Sequence, residues 1–427
     1  MKISGFFFSL FLLIGTQTIF AGGFQIPEQG GRAVAMGGAF TAIAWDPSAI
    51  YYNNAAITRL DGFQALIGTT MIVPSSSFRG PYGPGVSSPT IHQNDMAKQT
   101  FFPSHAYATY KVSNDWYVGL GFNTPFGLGT KWDPTWDGRF VSNEIELKTF
   151  SFNPVVAYKI NDMLSIGAGF QYNIGTVTID RAAGIADSKT GVPYSSGEGA
   201  VHLEGNTKSA VGYTIGGLAN LTKDFSLGVS FRSEVKYNFK GTASSTGPAQ
   251  FISVLPHGNI TAVLKSPAQL VIGAGYHINE QLLVSADFQY VWWSSYDTLK
   301  VTFDDGIQNP IAKPRSYKNA YVGRVGAEYN YSPSLALRGG LLYDQSPVED
   351  EYVDASLPEA NRLGFSLGFG YKFNDKLGLD LAWLFLRFAE RTVTTSQVSF
   401  SKSGFEPFNG TYNSSANLVS LSLSYKF

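Results

Sequence analysis

The sequence predicts an all-β membrane protein, an antiparallel transmembrane β-barrel of about fourteen strands with a small helical N-terminal plug in its lumen. Three observations predict it. Apolar and polar residues alternate with a period of two along most of the chain, no long apolar run recurs after the first twenty or so residues, and tight turns alternate with long polar loops. Composition agrees: aromatic and charged residues are each 15% of the 427 residues and glycine numbers 46, whereas a soluble domain averages about 25% charged. The net charge of −1 gives no footprint for nucleic acid. Without cysteine there is neither a disulfide framework nor a thiolate nucleophile.

Taken in order, residues 1–21 read as a removed signal peptide. Lys2 precedes an almost wholly apolar run from Ile3 to Ile14, and Ala21 is a small residue at a plausible cleavage point. Residues 22–60 break the strand pattern. They are rich in small residues (Gly30, Gly31, Ala33, Gly37, Gly38, Ala42), and Asp46-Pro47 reads as a helix N-cap followed by proline at the first helical position. This segment is expected to occlude the lumen, with a periplasmic extension as the alternative. Residues 61–427 form the barrel.

The alternation is plainest from Phe225, where Phe225, Leu227, Val229, Phe231, Val235, Tyr237 and Phe239 face one way and Ser226, Ser230, Arg232, Glu234, Lys236, Asn238 and Lys240 the other. One long strand is predicted there, apolar towards lipid. The same pattern runs over Leu164–Ile174 and Leu282–Trp292. Turns such as Asn161-Asp162, Thr222-Lys223-Asp224 and Asn374-Asp375 are expected on the periplasmic side, with long loops outside. The last strand alternates Val419, Leu421, Leu423, Tyr425 and Phe427 with serines and Lys426, and its terminal phenylalanine resembles the recognition signal of the barrel-assembly machinery, an expected partner.

Phe24-Gln25-Ile26-Pro27-Glu28, Ala35-Met36-Gly37-Gly38-Ala39, Asp46-Pro47-Ser48-Ala49 and Tyr52-Asn53-Asn54-Ala55 resemble the N-terminal hatch of the outer-membrane long-chain fatty-acid transporter (FadL) family. Asn123-Thr124-Pro125-Phe126-Gly127-Leu128 and Val156-Ala157-Tyr158-Lys159-Ile160 extend the resemblance into the barrel. It implies an outer-membrane location, fourteen strands, a hatch that includes Asn53, Asn54 and Ala55, and diffusion of hydrophobic ligands, such as fatty acids, through a sideways opening in the wall. The family also holds transporters of aromatic hydrocarbons, so the substrate does not follow. Its hatch commonly reads Asn-Pro-Ala, and Asn54 stands here in the proline position.

Pro125, with Asn123, Gly121 and Gly127, would end or break a strand, since proline removes a ladder donor. On the residues alone a simple strand end is preferred; the resemblance favours an inward kink and a lateral opening. Phe126, Leu128, Trp132 and Trp136 are expected as an exposed apolar cluster that collects ligand from outer-membrane lipid or lipopolysaccharide, with an aromatic girdle as the equal alternative. Arg139 and Arg181 are candidates for a carboxylate head group, against the blander reading as lipopolysaccharide contacts. The lumen-parity charges Arg232, Glu234, Lys236, Asp287, Arg324, Glu328, Arg338 and Asp344 read as a lining that holds the hatch.

Gly364-Phe365-Ser366-Leu367-Gly368 matches a hydrolase elbow but lies inside a strand with no following helix, so no enzyme is expected. The five histidines lack metal-ligand spacing, and no metal or cofactor is expected. A polar-solute porin is the competing class, and it would need an open lumen.

Overall fold

The computed structural model describes residues 22–82, 92–184, 198–249, 252, 255–304, 309–398 and 407–427; the expected signal peptide lies outside them. Fourteen antiparallel strands form a closed barrel. They are β1 (Phe63–Tyr82), β2 (Ser104–Lys111), β3 (Trp116–Asn123, resumed at Gly127–Lys131), β4 (Glu144–Lys159), β5 (Leu164–Gly184), β6 (Glu198–Asn220) and β7 (Phe225–Arg232, resumed at Val235–Thr246). Then come β8 (Gly258–Ser266, resumed at Gln269–His277), β9 (Leu282–Val291), β10 (Ala320–Asn330), β11 (Leu335–Asp344), β12 (Arg362–Lys372), β13 (Leu377–Phe388) and β14 (Asn409–Lys426). The barrel closes by pairing β1 with β14 from Gln64↔Lys426 to Arg79↔Thr411, so neither terminal strand is left with a free edge there. Short strands at Gln93–Asp95, Thr298–Phe303, Ile311–Pro314 and Arg391–Val393 decorate the outer loops.

In the inner half the pleat behaves as the alternation predicts. Leu120, Ile166, Phe170, Ile215, Phe288 and Leu421 face outward, while Ser165, Gln171, Thr214, Asp287, Ser366 and Ser420 face the lumen. The predicted continuous strand from Phe225 is corrected. It breaks at Ser233-Glu234, and the pleat inverts across the break: Leu227 and Val229 face lipid, whereas Val235, Tyr237 and Phe239 are buried inside. An irregularity of this kind shifts the register by one residue and so flips every side chain beyond it. Glu234 and Lys236 accordingly point outward and are not lumen charges. Breaks at Pro267-Ala268 in β8 and between Asn123 and Gly127 in β3 have the same effect.

The result is a barrel with two linings. The outer half is apolar inside, with Ile145, Leu147, Val201, Leu203, Phe239, Ile260 and Leu264 buried. The inner half is polar inside, and there the hatch sits. The hatch contains helices at Gly31–Ala35 and Ala49–Tyr52 and a 3-10 turn at Asn54–Arg59. The expected cap is corrected: the second helix starts at Ala49 with Ser48 at its N-cap, and Asp46, accepting from the amide and hydroxyl of Ser48 at 2.8 and 2.5 Å, instead fixes the turn that precedes it.

Elements this short leave many backbone groups unpaired, and wall side chains meet them. Ser285 donates to Ala39 O, Ser366 to Ala35 O and Thr70 to Glu28 O, while Asp287 accepts from the amides of Phe40 and Thr41. Ser366, the serine of the hydrolase-like motif, is thereby a hatch ligand. Charge adds further bolts, for Arg32 meets Glu328 at 2.6 Å and Arg338 joins Glu328 to Asp380. Asn53 donates to Thr41 O and Gly217 O, and Asn54 donates to Thr214 Oγ1 at 3.0 Å. The turn they begin lies directly on Gly167 and Gly216, where any Cβ would strike Asn54 or Ala55. Where the family pattern has proline, this chain fastens its hatch with an amide.

Candidate functional site

Above the hatch, β3 departs from the wall. It pairs with β2 only from Ala106↔Phe122 to Lys111↔Tyr117. At Thr124-Pro125 it turns inward and bonds the hatch arm instead: Ile26 N donates to Pro125 O at 2.9 Å and Gly127 N to Phe24 O at 3.0 Å. Contact with the β2 side resumes with Ala97 N donating to Lys131 O. Between those points no backbone hydrogen bond joins the two strands among the described residues.

Proline suits the kink, because its missing N–H costs nothing where the ladder is already broken. Two side chains not recognised in the sequence hold it. Gln29, fully buried, donates to Thr124 O at 2.9 Å and accepts from Thr124 N, and Thr149 bonds the peptide of Phe126. Glutamine and threonine are too common to signal such a role by spacing. Asn123 is buried at the turn, and neither polar atom of its amide has a hydrogen-bond partner among the described residues.

The interrupted wall borders a cavity of about 320 Å³. Phe101, Phe102, Pro103, Gly127, Leu128 and Gly129 line its side towards the gap, and Phe24, Ile26 and Glu28 of the hatch arm line its floor. Phe24 also borders a second, apolar pocket of about 60 Å³ among Leu147, Val177, Ile179, Phe239, Leu264 and Tyr317. Its ring packs edge-on against Phe126, Trp293 and Tyr296 at centroid distances of 5.8, 4.9 and 5.5 Å. It stands between the two spaces.

Cations gather at the rim of the apolar pocket. Arg181 follows Val177 and Ile179 on the same inward face of β5, and Arg315 lines the pocket itself, paired with Asp354 at 3.1 Å. Lys313, in the loop after β9, lies close enough to Arg181 to be pushed down to about 8, chiefly by desolvation and then by that like charge. Neither Arg181 nor Lys313 has an ion-pair partner among the described residues.

Against the expectations, the placement is mixed. Phe126 and Leu128 line the cavity, but the predicted exposed cluster is corrected: Trp132 and Trp136 are 1% and 3% exposed. They stack on each other at 4.5 Å, and their indole N–H groups donate to Ala355 O and Ser142 O. They brace the outer loops. Arg139 is already paired with Glu198 at 2.6 Å, whereas Arg181 follows the pocket-lining Val177 and Ile179 along β5 without itself lining the pocket.

At the cavity floor the buried acids Glu28 and Glu359 face Arg362. Burial outweighs that attraction and pushes Glu28 up to about 7 and Glu359 to about 8.

A closed barrel in the outer membrane, plugged from inside and carrying an apolar chamber above the plug, defines a transporter of hydrophobic compounds. Over residues 12–427 the chain matches the family described as outer membrane protein transport protein (OMPP1/FadL/TodX), and it belongs to that family. It is 27% identical to the long-chain fatty acid transport protein of Escherichia coli over 92% of this chain and 93% of that one. To outer membrane protein P1 of Haemophilus influenzae it is 26% identical, over 84% and 81%. Its fold is that of a Pseudomonas aeruginosa FadL homologue (TM-score 0.85, 21% identity, 95% and 100% covered) and of the Pseudomonas putida toluene transporter TodX (0.74, 20%, 94% and 99%).

Proposed function

We propose that this protein takes up long-chain fatty acids passively, receiving them in the apolar outer half and releasing them sideways between β2 and β3. The observation that carries the reading is the inverted, apolar outer lining: it holds a pocket lined by Arg315, with Arg181 next along the same face of β5 and Lys313 beside Arg181, and, across Phe24, a larger cavity bordered by the interrupted wall. A carboxylate would meet the cations through charge-assisted hydrogen bonds while its chain fills the chamber. Release into water would forfeit about 0.8 kcal/mol per methylene, whereas lateral release into lipid forfeits almost none. Lipopolysaccharide and lipid beside the outer loops would supply the ligand, and the assembly machinery would read Phe427. Residues 1–21 would be removed on export.

The absence of cysteine makes a clean test available. A Phe102→Cys, Gly127→Cys pair bridged by a short thiol cross-linker should abolish uptake of a labelled long-chain fatty acid and spare its binding. Full uptake through a demonstrably bridged wall would overturn the lateral route. A second reading, uptake of aromatic hydrocarbons, is favoured by the rings of Phe24, Phe126, Tyr296 and Tyr317 around the chamber. Arg181→Gln separates the two, because it should depress fatty-acid uptake and leave toluene uptake intact.

A further inference from the structure

At the periplasmic end a separate recess of about 500 Å³ lies between the base of the hatch and the turns joining β4 to β5 and β6 to β7. It shares no lining residue with the outer cavities. Trp45 forms its floor. The indole lies parallel to His277 (ring centroids 5.2 Å apart, planes 15° apart), and the guanidinium carbon of Arg59 sits 5.3 Å from the indole centroid.

Arg59 donates to Ala42 O at 2.8 Å and to Asn220 Oδ1 at 2.5 Å. Both acceptors are neutral, and no carboxylate lies within ion-pair reach of Arg59 among the described residues. A guanidinium has five N–H donors, so several remain unused. Burial without an opposing charge pulls Arg59 down to about 10. The rest of the recess does not supply the missing charge: Lys159 is paired with Asp162 at 2.7 Å, which leaves Lys223 and Asp224 to offset each other. A staple between a hatch carbonyl and a wall amide could be made by any neutral donor. A cation held there instead, over an aromatic floor and beside open space, concentrates positive potential in a cleft.

We propose that this recess binds a small organic anion with a flat or apolar body on the periplasmic side, its carboxylate or sulfonate meeting the spare donors of Arg59 and its body resting against Trp45 and His277. Planar guanidinium matches such oxyanions two bonds at a time.

Calorimetry of the full chain in uncharged lipid nanodiscs tests this, with 2-naphthoate as probe and the neutral 2-naphthamide as comparator. Saturable naphthoate binding should survive Arg181→Gln, fall roughly tenfold or more in Arg59→Gln through loss of charge-assisted hydrogen bonds, and be absent for naphthamide. Binding that persists in a folded Arg59→Gln protein, disappears in Arg181→Gln, or is equal for the amide would overturn the assignment. Should Arg59→Gln not assemble, the two probes are compared in a protein carrying Arg181→Gln and Lys313→Gln, where a surviving preference for naphthoate supports the recess and equal or absent binding overturns it.

Discussion

The hydroxyl of Thr149 grips the backbone of Phe126 on both sides of its Cα: it accepts from Phe126 N at 3.1 Å and donates to Phe126 O at 2.7 Å. Thr149 belongs to the intact strand β4 and Phe126 to the kink of β3, so a rigid stave holds the broken one in its inward position. Thr149→Val keeps the shape but leaves a buried amide without its acceptor, a cost of about 1–3 kcal/mol. The variant should assemble, melt several degrees lower and take up fatty acid more slowly, while Thr149→Ser should behave as the parent. Equal uptake by the valine and serine variants would show that the hydroxyl does not set the kink.

Head-group binding should depend on pH through Lys313. Its value near 8 means that the ammonium is charged at pH 7 and mostly neutral at pH 9. Affinity for an anion should therefore fall several-fold across that interval, with the midpoint displaced upward because the bound anion itself favours the charged lysine. A long-chain alkyl sulfonate, ionised throughout, isolates the protein's titration from the ligand's. Lys313→Arg should flatten the profile between pH 7 and 9; a flat profile in the parent would exclude Lys313 from the head-group site.

Glu28 and Glu359 give the opposite kind of pH dependence, one of stability. Both titrate higher in the folded protein than a carboxyl does in an unfolded chain, so the folded state binds more protons between pH 4.5 and about 8. Stability of the hatch and of the loop carrying Glu359 must then decline as pH rises through that window. Proteolysis of the hatch should be faster at pH 8.5 than at pH 5.5, and Glu359→Gln should remove much of the difference.

The barrel was legible because lipid demands a period of two, and the inner half keeps it apart from apolar residues such as Leu66, Tyr107, Leu218 and Leu283, which turn inward to pack on the hatch. What the alternation concealed was its own inversion. From Phe225 to Phe239 the apolar residues keep one parity in the sequence, yet Ser233-Glu234 turns the chain over and the same parity faces lipid below and the barrel interior above. No residue type marks that break. Pro125 was visible because proline is chemically exceptional in a strand, whereas Gln29 and Thr149, which hold the kink, are ordinary residues given their role by contacts distant in sequence. Trp132 and Trp136 misled because a tryptophan in a loop looks the same in sequence whether it meets lipid or another indole.

The ring of Phe101 reaches across the gap between β2 and β3. Phe101 is bonded through its backbone to Ile72 of β1, with N···O distances of 2.8 and 2.9 Å, so it stays on the β2 side. Its ring crosses the gap to lie against Gly129 of β3, where a Cβ would come within 2.1 Å of it. Only glycine leaves room, and the seal is therefore dispersion contact, with no ladder hydrogen bond to break when a ligand passes. Such a seal yields in increments of about 0.1–0.2 kcal/mol per atom pair. Phe101→Ala should widen the opening and speed release of preloaded fatty acid into vesicle lipid severalfold, with assembly intact because the backbone pairing to Ile72 does not need the ring. Gly129→Ala should push the ring outward and act in the same direction, more weakly. If both variants release ligand at the parent's rate while the cross-linked wall still blocks uptake, the ring is a bystander and the resistance lies deeper, at Phe24 between the two chambers.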